Sequence, residues 1–159
     1  MLQTMPHQPD PLPRPLDHLA ELAGAAGRGE SPALVLREGT LNHNQLRLRV
    51  ARLAGWLARE VPEKGARVAS WAAKGELTCL MPLAAARAGL VHVPINPLLK
   101  RAQAAHILAD SGALMLLTGV GRAATLEPGD LPEDCTLVLE RDVPFVGEPL
   151  PPGDADPES

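Results

Sequence analysis

The sequence predicts an α/β domain: a parallel-type sheet flanked by helices. Three observations lead there. Short strand-like and helix-like runs alternate from residue 66 to residue 141, the pattern of βαβ units joined by right-handed crossovers. An apolar stripe at helical spacing precedes them over residues 46–61. Hydrophobic residues make up 45 % of the 159, enough to build one core. Aromatic residues are only 2 %, so leucine and alanine carry most of the packing.

Residues 1–15 read as a proline-rich arm, with prolines at 6, 9, 11, 13 and 15. Leu16, Leu19, Ala20, Leu22 and Ala23 group on one helical face, and the run Gly24 to Gly29 ends it. "ALVLREGTL" (33–41) reads as a short hairpin that turns at Arg37-Glu38-Gly39. Asn42 is then placed to cap a helix, with Gln45 three residues on to reach back, and with Leu41 and Leu46 spaced for a hydrophobic staple. The stripe Leu46, Val50, Leu53, Ala54, Leu57, Val61 follows. Arg47, Arg49, Arg52 and Arg59 project from other faces and read as a solvated surface. Pro62 and Gly65 close the helix.

"ARVASWAA" (66–73) is strand-like, and "GELTCLMPLAAARAG" (75–89) is helix-like, with Leu77, Leu80, Met81, Ala84 and Ala88 on one side. Pro82 removes a backbone donor inside that helix and is expected to kink it or shift its start. "LVHVPIN" (90–96) reads as a strand, "RAQAAHILADSG" (101–112) as a helix and "ALMLLTG" (113–119) as a strand. A weak helical patch covers Arg122 to Leu126, and "CTLVLER" (135–141) is the last strand. Pro94 and Pro97 cannot donate to a ladder, so they suit a strand end or an unpaired edge. Asn96, just before Pro97, is pushed toward an extended shape. The organisation is therefore an arm (1–15), an α/β unit (16–142) and an acidic, proline-rich linker (143–159).

A net charge of −4 gives no electrostatic case for nucleic acid or an anionic membrane. No uncharged apolar stretch reaches the roughly 18 residues of a membrane span, and the polar N-terminus does not read as a signal peptide, so a cytoplasmic location is expected. Cys79 and Cys135 follow no motif and read as reduced thiols acting as small core residues. No two of His7, His18, His43, His92 and His106 share a metal-ligand spacing. His92 lies in a strand and reads as a packed or surface residue.

"GVGRAA" (119–124) follows a strand, and Glu140 ends the next one, the layout of a dinucleotide-binding turn. Pro128, Gly129 and Pro132 cut the helix such a turn needs to about two turns, which weighs against a nucleotide site. There is no Gly-x-Ser-x-Gly and no phosphate loop of the Gly-Lys-Ser/Thr kind.

In order and spacing, the segments resemble the N-terminal part of the AMP-forming acyl-CoA synthetases, in the adenylate-forming superfamily. "ALVLREGTLNHNQLRLRVARLAGWL" is similar to that family's opening hairpin and first long helix. "GARVASWAAKGELTCLMPLAAARAGLVHVPINPLLK" is similar to its next strand, helix and strand, and "AHILADSGALMLLTG" to the helix and strand after those. "NPLLK" with "AHILADSGA" looks closest to ligases associated with exosortase and exopolysaccharide loci. The likeness covers residues 31–119 and thins beyond. Pro82 departs from the pattern, as do Asn42, His43 and Gln45, where relatives carry Ser/Thr, Tyr and Glu.

The resemblance implies part of a large N-terminal domain and an ATP-dependent carboxylate adenylation followed by thioester formation with CoA, as in fatty-acid metabolism. It also implies ATP, Mg and CoA as cofactors of the complete enzyme. In that family the triphosphate is held by a Ser/Thr/Gly-rich loop that follows an acidic, proline-containing stretch. The magnesium acid, ribose aspartate and catalytic lysine lie further on. This sequence stops in such a stretch, "GDADPES". No catalytic, cofactor-binding or metal residue is therefore carried onto any position, and the chain is expected to be inactive by itself. Its expected partner is the remainder of the ligase, in the same or a separate chain, or a second copy. The alternatives are a scaffold subunit completing a split ligase and a small Rossmann-like module using Gly119 to Ala124.

Overall fold

The computed structural model describes residues 28–145 and 149–151. The proline-rich arm and the helix read over Leu16 to Ala23 lie outside the described residues. A two-stranded antiparallel hairpin, β1 (Pro32–Leu36) and β2 (Gly39–Asn42), leads into α1 (His43–Glu60). The order is then β3 (Arg67–Trp71), α2 (Glu76–Arg87), β4 (Val91–Pro94), α3 (Arg101–Ser111), β5 (Met115–Thr118), α4 (Val120–Ala123) and β6 (Thr136–Leu139), closed by a 3-10 turn at Glu140–Asp142. β3 to β6 form one four-stranded parallel sheet in the order β4-β3-β5-β6.

α1 starts where its capping chemistry sits. The Asn42 side chain accepts from the Gln45 N–H and the Gln45 side chain accepts from the Asn42 N–H, each at 2.8 Å, so two otherwise orphaned donors are satisfied. Val50, Leu53, Ala54, Leu57 and Val61 of the predicted stripe are buried, and Leu46 packs against them. Of the four arginines read as a solvated face, only Arg59 is exposed. Arg49 pairs with Glu76 of α2 and lies 5.7 Å from the Phe145 ring, and Arg52 is half-buried. The difference arises because α2 packs along α1 and covers that flank.

α2 starts at Glu76 despite Pro82, so the expected shift of its start does not occur. The Thr78 hydroxyl accepts from the Gly75 N–H at 3.0 Å, and Glu76 sits at the positive end of the helix. A proline inside a helix costs about 3 kcal/mol. Here the cost is offset by the burial of Leu77, Leu80, Met81, Ala84 and Ala85, each leucine or methionine contributing about 2 kcal/mol. Cys79 points away from that stripe and is exposed, whereas Cys135 is buried. The core-residue reading therefore holds for Cys135 alone, whose thiol burial pushes up to about 11.

β3 leads through α2 to β4 on one side, and the chain then returns through α3 to β5 on the other side. Crossovers of one hand running in opposite directions put their helices on opposite faces. Two cores result. Val68, Met115 and Leu117 face α1 and α2; Ala69, Trp71 and Leu116 face Ala104 and Leu108 of α3. The 143–159 stretch is linker-like in composition, yet Val143 is buried, Phe145 and Leu150 pack on the first core, and the Leu150 N–H donates to Ala51 at 2.8 Å.

The position of Pro94 follows from the ladder. The N–H groups of Val91 and Ile95 donate to Ala66 and Ser70, so the intervening even-numbered residues face away from β3. Among the described residues β4 is an edge strand, and Pro94 lacks its N–H on the side where none of them pairs with it. Asn96 then makes an Asx turn, its side chain accepting from the Leu98 N–H at 2.9 Å.

Two stability outcomes are expected. Asn42→Ala lowers unfolding free energy by about 1 kcal/mol, read as a lower urea midpoint at unchanged slope. Pro94→Ala loses no ladder bond and costs less than about 1 kcal/mol, chiefly through the unfolded chain.

Candidate functional site

In an open parallel sheet, ligands bind outside the carboxyl ends of the strands at the point where strand order reverses. Here that point lies between β3 and β5, because the chain moves outward to β4 and comes back past β3. A crevice of about 480 Å³ opens there. Trp71 at the end of β3 lines it, together with the loop Pro97 to Arg101 after β4 and Gly121, Arg122 and Thr125 after β5.

Each wall is held by contacts between segments distant in sequence. Thr118, fully buried, donates its hydroxyl to the Trp71 carbonyl at 2.6 Å and ties the ends of β3 and β5 together. The Arg122 guanidinium lies 5.8 Å from the Trp71 ring and donates to the Pro97 carbonyl at 3.1 Å. It thus bridges the loops after β4 and β5. Arg101 turns to the Glu127–Asp130 loop, donating to both Asp130 oxygens at 2.8 and 3.0 Å. The Asp130 carboxyl is held below its ordinary value, first by the Glu127 N–H and then by Arg101. Arg101 is therefore largely neutralised. Lys100 is exposed at the start of α3.

The remaining cations, Arg122 and Lys100, flank an aromatic wall. Trp71 is 2 % exposed, and its indole N–H has no acceptor among the described residues. A crevice of this kind suits an anion: the guanidinium offers further donors in a fixed fork, while the Trp71 ring, buried in the second core and covered by Arg122, backs the wall. The sequence reading missed Trp71 and Lys100, and met Arg122 only as part of the Gly119–Ala124 turn. Their signal is their place at the carboxyl ends of particular strands, which is meaningful only once strand order is known.

The turn at Gly119 to Ala124 has the Glu140 carboxylate beside Gly119, as the dinucleotide layout requires. Its helix, α4, has only four residues. It presents no sustained N-terminal dipole to a pyrophosphate, and Gly121 and Arg122 serve the crevice instead. His106 is exposed, and His43 is the first residue of α1. His92 is half-buried, its Nε2 2.7 Å from the Ser70 hydroxyl in a shared hydrogen bond.

The family model described as AMP-binding enzyme matches residues 23–158. An L-proline–[L-prolyl-carrier protein] ligase of Pseudomonas fluorescens is 29 % identical over 108 residues, which are 68 % of this chain and 22 % of that protein. Among solved structures, a benzoate CoA ligase from Burkholderia xenovorans aligns at TM-score 0.72 and 20 % identity, over 80 % of this chain and 26 % of that one. The nonribosomal peptide synthetase FmoA3 aligns at TM-score 0.71 and 24 % identity, over 91 % of this chain and 15 % of that one. These likenesses show the fold. The chain spans about a fifth of the length of the curated relative it matches.

Burial lowers the pKa of His92 below its ordinary 6.5. The folded state then resists a proton that the unfolded chain accepts, so stability is full above about pH 6.5 and falls as pH drops below it. Urea midpoints taken between about pH 7.5 and about pH 5.5, above the carboxylate range, should decline in the wild type and stay nearly flat in His92→Gln.

Proposed function

Because the chain belongs to the AMP-binding enzyme family, its model matching residues 23–158, we propose that it is part of the large domain of an AMP-forming acyl-CoA ligase. The complete enzyme joins a carboxylate to ATP, releasing pyrophosphate, and passes the acyl group from the adenylate to the thiol of CoA. The observation that carries this reading is the reversal of strand order at β3 with its cationic, tryptophan-walled crevice, on a fold shared with a benzoate CoA ligase.

ATP and CoA both carry phosphates, and Arg122 and Lys100 suit a phosphate more than they suit an acyl chain. No residue of this chain is assigned to magnesium or to the chemical step. Those groups belong to the remainder of the ligase, which we take as the partner of this chain, in the cytoplasm. A scaffold subunit completing a split ligase is the same arrangement with the partner encoded separately. Among the described residues, no helix is long and apolar enough to cross a membrane.

The test has two arms. Purified chain should give no carboxylate-dependent ATP–pyrophosphate exchange above blank; turnover would overturn the assignment of chemistry to the remainder. Titration calorimetry with CoA and with ATP should show weak binding to the wild type that weakens about tenfold in Arg122→Ala, the loss of one charge-assisted contact. Equal binding by both proteins would remove the crevice from the reading.

A further inference from the structure

The chain touches the start of α1 before it enters the hairpin. The Asn44 N–H donates to the Gly29 carbonyl at 3.0 Å, and the His43 N–H donates to the Ser31 carbonyl at 3.1 Å. The Asn44 side chain donates to Glu30 at 3.2 Å. A Cβ at Gly29 would clash with that side chain, so glycine permits the close approach. The Ser31 N–H donates to the Arg28 carbonyl at 3.0 Å. Arg28 is thereby fixed beside the first turn of α1.

A groove of about 510 Å³ opens at the same place. Asn44, Arg47, Leu48 and Ala51 line it from one face of α1, with Arg87 of α2 and the segment Pro149 to Pro151 around them. Leu48 is 40 % exposed. Among the described residues no carboxylate lines the groove, and two arginines do.

We propose that residues 16–23 of this same chain occupy the groove, laid back along α1 from Ala51 toward Asn44. Three arguments select this occupant. The first is chemistry. Leu16, Leu19, Ala20, Leu22 and Ala23 recur at helical spacing, which suits Leu48 and Ala51. Asp17 and Glu21, one helical turn apart, are the only charged residues between Leu16 and Gly27 and complement Arg47 and Arg87. The stretch 152–159 is also acidic but holds no large apolar side chain. The second is length. Eight helical residues span about 12 Å, and Asn44 to Ala51 spans about 10 Å. The third is tethering. Gly24 to Gly27 joins the segment to Arg28 at the mouth of the groove. A short flexible link gives an effective concentration on the order of millimolar, which a second copy or a separate partner must supply in solution.

A double-mutant cycle on the full chain tests this with urea midpoints. Leu19→Asp and Leu48→Asp should each lower the midpoint. The double variant should fall no further than the lower single variant, because either change already expels the segment. A second measurement serves if these variants fold poorly. On a Cys79→Ser background, Leu19→Cys and Leu48→Cys should join within one chain under mild oxidation. Leu98→Cys, at a position 86 % exposed beside the crevice, should not join to Leu19→Cys. Light scattering should give the monomer mass of 16.8 kDa throughout. A midpoint unmoved by Leu19→Asp, strictly additive losses, or a crosslink formed only between chains overturns the proposal. So does a midpoint unmoved by Leu48→Asp, the result expected if the remainder of the ligase covers the groove instead. Neither measurement involves a nucleotide, so the outcome is independent of the ligase reading.

Discussion

The double pairing of β3 is the constraint on which the rest of the structure depends. Arg67 to Trp71 is bonded to β4 on one side and to β5 on the other, although β3 precedes both. One crossover must therefore run outward and the next must run back. Crossovers of one hand then place α2 and α3 on opposite faces, create two cores from a single sheet, and leave a crevice between the segments that follow β4 and β5, at the end of β3. Trp71 takes part in all of this. It ends the central strand, packs in the second core and lines the crevice.

Small polar contacts keep that geometry in place. Thr118 satisfies the Trp71 carbonyl inside the sheet, where an unpaired carbonyl would cost about 1–3 kcal/mol. Arg122 gains from the Trp71 ring and the Pro97 carbonyl together, so the loops after β4 and β5 are joined in one wall. Membership of the AMP-binding family gives the wall a context. The relatives are several times longer than this chain.

The edges of the sheet follow the same logic. A parallel sheet cannot end without leaving one ladder of donors and acceptors unpaired on each side. At β4 the proline shortens that ladder, and the Asx turn at Asn96 leads the chain away. At β6 the ladder is complete and apolar. The same family segment that looks at first like a buried strand is thus an edge, and its prolines are a consequence of that place.

Much of this was legible from residue order alone. Asn42 and Gln45 locate the start of α1 to the residue because a capping box is a local interaction between neighbours. The alternation of strand and helix from residue 66 on identifies a parallel sheet because the hydrophobic period changes with each element. Family membership was legible for a related reason: it is carried by local segments in a particular order. The continuous helix through Pro82 was not legible, since its compensation comes from α1 across the core. Arg49 reads as solvated until Glu76 and Phe145 arrive beside it. Strand order, and with it the crevice of Trp71, Lys100 and Arg122, was decided only by the tertiary structure. The spacing of β3, β4 and β5 along the chain is compatible with either side of β3, and only the simultaneous burial of both faces selects between them.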